Sequence, residues 1–241
     1  MSEISTAARS DLAPNSRLRV GINFGNALLT KRDPQPGGIA VDLARELASR
    51  LGVPLEIVPF ESAGGLADSA SKGAWEVGFL GAEPQRANEI SFTAPYVEIE
   101  STYIVPAGSP LHSIADVDRE GVRIAISAKS AYDLYLSRNL KHATLVRAQG
   151  SPTALKLFVS DKLEALAGLK PLLINDVEKI PGARLLEGRF SVVQQAVGTP
   201  KGHDAGAKYL SEFVEDVKAS GLVARVMEKN GIRGVSVAPK A

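Results

Sequence analysis

The 241-residue chain contains no cysteine. Disulfides, thiolate metal sites and a cysteine nucleophile are thereby excluded. The compartment is not decided, because a cysteine-free protein tolerates either redox environment. The chain also lacks an excess of charge: 28 basic side chains face 27 acidic ones, for a net charge of +1. Such a balance gives no basic footprint for nucleic acid, and no Lys/Arg block marks an anionic membrane surface. No apolar run is long enough to span a membrane. The opening stretch MSEISTAARSDLAPNS has no apolar core of the kind a secretory leader needs. The expected location is therefore periplasmic if a leader has been removed, and cytoplasmic otherwise. Aromatic residues are scarce, at 5% with a single tryptophan, Trp75, which sits in an apolar stretch and reads as core. His112, His142 and His203 are isolated and lack metal-ligand spacing. No GxGxxG or phosphate-binding loop and no nucleophile elbow appears, so no cofactor is expected.

What remains is an ordinary globular composition, 44% hydrophobic and 23% charged, in a chain long enough for one large domain or two lobes. Residues 1–16 read as a flexible arm. LRVGIN (18–23) is an apolar strand, followed by a loop rich in Gly, Pro and Asn. Val41, Ala44, Leu47, Ala48 and Leu51 share one face at helical spacing, and Gly52 and Pro54 stop that helix. LEIVPF (55–60), a short helix through 64–72, and WEVGFLG (75–81) complete a βαβαβ half. STYIVPAGSPL (101–111) is an extended exit. A second α/β set then follows, with strands at 121–127, 144–149, 163–169 and 190–198. Its helices fall at 130–140, 151–162 and 170–180, and two more helices finish the chain, the first striped by Leu210, Phe213, Val214 and Val217. Continuous apolar strands are the mark of a parallel sheet covered on both faces. The expected fold is α/β: two lobes with mainly parallel sheets and a ligand cleft between them.

Ligands bind beyond the carboxyl ends of parallel strands, so the loops after residues 23, 60, 81, 127 and 169 are where a site is sought. Asn23 and Asn26 follow the first strand; Asn23 reads as a turn former, and Asn26 equally as a turn former or a ligand contact. After the third strand come Gly81, which lets a bound group approach the backbone, then Glu83 and Arg86. Arg86 has the fork that grips a carboxylate, yet spacing alone reads it as a surface charge in a polar turn. Lys129 and Ser130 precede the helix at 130–140; Ser130 is a natural N-cap beside free N–H groups. On that helix Tyr132 is expected toward the cleft and Tyr135 in packing. Lys170 opens a helix, where a cation opposes the macrodipole, a mild hint of a specific purpose. Glu98 and Glu100 alternate with apolar residues and read as a solvated strand face.

Taken in order, LRVGINFGN, GGIAVDLARELASRLGVPLEIVPF, the arginine before ISFTAPY, GVRIAISAKSAYDLYL and ASGLVARVMEKNG resemble the bacterial extracellular solute-binding proteins of the polar-amino-acid type. The resemblance covers residues 18 to 231 and implies a two-lobe Venus-flytrap fold feeding an ABC importer, usually as a monomer. It implies that the chain crosses between the lobes twice, as a two-segment hinge, so that lobe 1 is 17–105 plus 196–241 and lobe 2 is 106–195. It also makes Arg86 the holder of a ligand carboxylate, shared with the hydroxyl of Ser130. The departures carry as much weight. Where such proteins usually place an aspartate for the ligand ammonium, this chain has Leu169 and Lys170. Asn26 and Ala63 stand where an aromatic often stacks; Gly81 and Glu83 replace a hydroxyl residue and a threonine. A buried ammonium without a partner costs several kcal/mol. The expectation is therefore a small polar carboxylate ligand, a mono- or dicarboxylate lacking an amine, unless Glu83 supplies the missing negative charge.

Two other functions are kept open. The same fold includes cyclohexadienyl dehydratases, and Glu83 would then serve as general acid. A carboxyl set among cations gives up its proton more readily, which opposes that role. The second is a cytoplasmic ligand sensor without a transporter.

Overall fold

The computed structural model describes residues 4–31 and 34–241. These divide into two compact units, residues 1–98 with 194–241, and residues 99–193.

The chain begins with α1 (Thr6–Leu12), capped by Ser5, whose side chain accepts the Ala8 N–H. This corrects the reading of residues 1–16 as a flexible arm; residues 1–3 of that arm lie outside the described residues. The helix is held by apolar and polar contacts together. Ala8 and Leu12 are buried, Arg9 donates to the Leu51 carbonyl, and Asp11 accepts the Gly206 N–H at 2.9 Å. A polar composition hid the two-residue apolar face of this seven-residue helix.

β1 (Leu18–Asn23), α2 (Ile39–Leu51), β2 (Leu55–Phe60), α3 (Ala63–Ala67) and β3 (Val77–Gly81) follow in the first unit. β1 lies between β2 and β3, parallel to both. β3 is buried along its whole length, as a covered parallel strand should be. β2 is not: it lies at the end of the strand order, none of its residues is fully buried, and it carries Pro59, a residue sheets tolerate at edges. Trp75 is core, as read, but it precedes β3 rather than lying in it. Its Nε1–H donates to the Leu66 carbonyl (3.2 Å) and to Ser69 Oγ (2.9 Å). The indole packs so closely on the sheet that a Cβ at Gly21 or Gly78 would lie 3.2 Å from it.

β4 (Ile90–Val105) runs on from the first unit into the second, which continues with β5 (Arg123–Ser127), α4 (Ala131–Asn139), β6 (Thr144–Ala148), α5 (Ser151–Ser160), β7 (Ala165–Leu169), α6 (Lys170–Val177) and the short β8 (Arg184–Leu185). β5 is parallel to β6 and β7, and β7 is antiparallel to β4. Ile104, Ala125, Phe158, Leu163, Leu166 and Leu173 form this unit's core. β9 (Ser191–Pro200) leads back to the first unit, pairing antiparallel with β3. α7 (Asp204–Ala219) packs on α1, α8 (Leu222–Lys229) on α2 and α7, and β10 (Val235–Val237) joins β4. Both crossings thus occur inside long strands, because the later part of β4 is already paired with β7.

Candidate functional site

At the carboxyl ends of β1, β2 and β3 the first unit gathers three loops. The loops after β1 and β2 touch: Phe24 N–H donates to the Phe60 carbonyl at 2.8 Å, and a Cβ at Gly25 would lie 2.2 Å from the Glu61 carbonyl oxygen. Asn23 Oδ1 accepts the Gly25 N–H (3.0 Å) and Asn26 Oδ1 accepts the Leu28 N–H (3.2 Å). Both asparagines therefore have their side-chain oxygens in Asx turns, which leaves the amide NH2 groups outside those turns. Thr30 Oγ1 closes the loop on the carbonyls of Asn23 and Asn26.

Arg86 opens a 3-10 turn after β3 and is buried, with 6% of its surface exposed. Reading it as a surface charge from spacing alone does not survive this. Its Nη1–H donates to the Gly81 carbonyl at 2.6 Å, and its backbone N–H to the Glu83 carbonyl at 2.9 Å. The loop that spaces Gly81, Glu83 and Arg86 is thus the device that turns the guanidinium inward. Burial lowers the Arg86 pKa to about 10, against the carboxylates of Glu83 and Asp68, which raise it. Asp68, at the end of α3, has no signal in the local spacing. The ISFTAPY run after Arg86 is structural support. Thr93 Oγ1 donates to the Ala94 carbonyl and accepts the Val197 N–H, and Tyr96 is fully buried, edge-on to Phe79 at 5.8 Å.

In the second unit the corresponding strand ends carry Lys129, Ser130, Tyr132 and Lys170. Lys129 is exposed with a positive φ of 56°, and its backbone N–H donates to Asp133 Oδ2 at 2.7 Å. Ser130 is the N-cap of α4, its Oγ accepting the Asp133 N–H at 3.1 Å. Ser130 thus caps the first turn of α4, while the Asp133 carboxylate holds the backbone N–H of the residue before the cap. Asp133 is itself buried and also meets Arg147 Nε at 3.0 Å and Ser137 Oγ at 3.3 Å. Tyr132 is buried rather than presented: its hydroxyl lies 3.2 Å from Ser151 Oγ, and burial raises its pKa, partly offset by the hydroxyls of Ser151, Ser130 and Ser127. Tyr135 stacks at a tilt on Phe190, 6.1 Å between centroids.

Lys170 is not a bare cation. Its Nζ donates to Glu100 Oε2 at 2.7 Å, and Glu100 Oε1 accepts from Arg189 at 2.9 Å. The hydrogen bond from Lys170, aided by the charges of Lys170 and Arg189, holds the Glu100 carboxyl below the usual carboxylate range. Glu100, read as part of a solvated strand face, is instead the centre of a three-residue ion cluster. Glu98 lies 3.4 Å from Gln194 Nε2. Among the described residues no group of three or more His, Asp or Glu is placed to hold a metal ion, and no helix is long and apolar enough to cross a membrane.

No curated protein matches the chain. Solved structures share its fold. The cysteine-binding protein from Campylobacter jejuni superposes with a TM-score of 0.79 at 15% identity, covering 98% of this chain and 100% of that one. A mutant of ArgBP from T. maritima gives 0.77 at 21% identity, covering 92% and 98%. An ancestral amino acid-binding protein, a precursor of cyclohexadienyl dehydratase, gives 0.76 at 20%, covering 93% and 99%. The sequence itself matches the family model over residues 18–231, a span that takes in both units and every candidate residue from Asn23 to Lys170, and on that match the chain belongs to the bacterial extracellular solute-binding proteins, family 3.

Proposed function

We propose that this protein is the receptor of an ABC importer and that it binds a small carboxylate-bearing solute, unchanged, with Arg86 as the anchor. The observation that carries the reading is the buried guanidinium at the carboxyl end of β3. A fork of parallel N–H donors in a dehydrated setting suits a carboxylate better than any other small group. Gly81 and the amide groups of Asn23 and Asn26 stand on the same strand ends, where they would supply further polar contacts. In the second unit Ser130 caps α4, and Lys129 stands exposed beside it.

The solute is read as something other than an ordinary α-amino acid. No carboxylate follows β7: the strand ends at Leu169, and Lys170 begins the next helix. The nearby acid Glu100 is engaged by two cations. A second reading has one observation in its favour. Glu83 and Asp68 lie close enough to act on the Arg86 charge, so an ammonium group has a place near the anchor itself. An amino acid, the ligand class named for the structural relatives, would then bind in a rearranged pose.

A thermal-shift and calorimetric panel of amine-free organic acids against the standard amino acids separates the two, since a ligand that binds only the native state raises its melting temperature. A response to acids alone supports the first reading. A response to α-amino acids replaces it with the second. Mass spectrometry of each incubated hit tests the receptor assignment: consumption of the compound would overturn it in favour of a lyase, and recovery intact supports it.

A further inference from the structure

Asn230–Gly231 is the only Asn-Gly pair in the sequence, and it stands where α8 ends. Asparagine is a chemically labile residue. The backbone nitrogen of the next residue can attack its side-chain carbonyl carbon, and a following glycine, with no side chain, hinders that attack least. Asn15–Ser16, an exposed pair elsewhere in the chain, carries a side chain on the attacking residue.

The fold holds both reacting groups. Gly231 has a φ of 64° and closes α8 as a Schellman motif: its N–H donates to the Glu228 carbonyl at 3.0 Å, and the Ile232 N–H donates to the Met227 carbonyl at 3.0 Å. The Asn230 Nδ2 amide donates to the Val226 carbonyl at 2.9 Å and, across to α2, to Asp42 Oδ2 at 3.0 Å. Lys229 Nζ reaches the same Asp42 oxygen at 3.0 Å, and Arg45 Nη1 reaches the other at 2.9 Å. Burial disfavours the Asp42 charge, but the hydrogen bonds from Asn230, Lys229 and Arg45 outweigh it and hold the carboxyl below its ordinary pKa. All these residues belong to the first unit. Asn230 is half-buried and Gly231 exposed, so water reaches the pair. A helix end is also the part of a fold that opens most readily.

We propose that Asn230 is a site of spontaneous deamidation, that the closed turn at the end of α8 holds the reaction back, and that its product releases α8 from α2. The Gly231 nitrogen gives its proton to solvent base and bonds to Asn230 Cγ. The Cγ–Nδ2 bond breaks, Nδ2 leaves as ammonia, and a succinimide ring remains. Water opens that ring at either carbonyl, giving aspartate or isoaspartate. One water is consumed and one ammonia released, with no oxidation or reduction. The aspartate has acceptor oxygens where the amide had donors. They face the Asp42 carboxylate and the Val226 carbonyl, so a bridge becomes a repulsion between like charges. The new charge also lies at a helix C-terminus, where an anion opposes the macrodipole. Isoaspartate lengthens the backbone within the Schellman turn and breaks its register.

The test incubates the full chain at mildly alkaline pH and follows each asparagine by peptide mass spectrometry, which reads the replacement of NH2 by OH. In the native protein Asn230 is expected to convert ahead of Asn15, and several-fold more slowly than in urea. Asp42→Ala frees the side chain and should speed conversion at Asn230 several-fold without changing Asn15. Gly231→Ala should suppress it. Asn230→Asp, the product itself, should lower the melting temperature by about 4 °C, and Asn230→Ala, which removes the same hydrogen bonds without adding charge, should lower it less. Conversion at Asn15 with none at Asn230 overturns the site. Equal rates at Asn230 in the native protein and in urea overturn the protection. An Asn230→Asp protein that melts with the wild type overturns the release of α8. The comparison of native protein with urea decides the protection even where Asp42→Ala fails to fold.

Discussion

The two units each place a cation at the end of a parallel strand, and they build it in opposite ways. Arg86 in the first unit is buried, gripped by the carbonyl of Gly81 and set in the field of Glu83 and Asp68. Lys170 in the second is half-exposed and balanced by Glu100 across a contact that solvent screens. A charge taken out of water carries a standing desolvation cost, which a matching anion recovers. A charge left at the surface carries neither the cost nor the strength. On the proposed function, Arg86 would supply most of the affinity. The Lys170 cluster, screened and half-exposed, should tolerate substitution with little change in stability.

The sharpest way to break this contrast is Arg86→Ala. It should weaken binding of any carboxylate by about a hundredfold or more, as expected for losing a desolvated charged contact; calorimetry that shows unchanged affinity would remove the anchor. The pH dependence comes next. Unliganded Arg86 loses its proton near pH 10 because burial disfavours the charged form, whereas a bound carboxylate favours it. Affinity should thus be level through neutral pH and fall roughly tenfold per unit once pH exceeds the unliganded value. A fall that begins at the same pH in Arg86→Lys, whose ammonium has a different ordinary pKa, would point to another group.

Smaller effects sharpen the other side of the comparison. Asp133→Ala removes a buried acceptor that holds Lys129, Arg147 and Ser137. Urea denaturation should register a loss of about 2 kcal/mol. Lys170→Met should change the unliganded stability by less than about 1 kcal/mol. A larger loss would mean that the Glu100 cluster is structural rather than adjustable.

The legibility of the sequence follows the same division. Strands β1, β3, β5 and β7 could be read because their apolar runs report burial directly, and α2 and α7 because their stripes repeat at helical spacing. The helix α1 could not, since two apolar side chains among polar neighbours give no periodic signal. Edge strands such as β2 looked like covered ones, because exposure depends on position in the sheet and not on composition. At the candidate site, Arg86 and its spacing from Gly81 were visible, but its burial came from the resemblance and not from the residues. The partner of Lys170 was out of reach: Glu100 lies on β4, and only the pairing of Ser101 with Leu169 brings the two together. Asp68 was hidden for the same reason.

One core contact has a practical use. Trp75 is the chain's only tryptophan, and it is 1% exposed, wedged over Gly21 and Gly78 in the first unit. Excited near the red edge of its absorption band, the protein carries a single emitter, and that emitter belongs to one unit. Its wavelength maximum should stay blue-shifted until the first unit opens, whatever happens to the second. Followed alongside far-ultraviolet circular dichroism, which sees both, it makes the order in which the two units melt directly observable in an unlabelled sample.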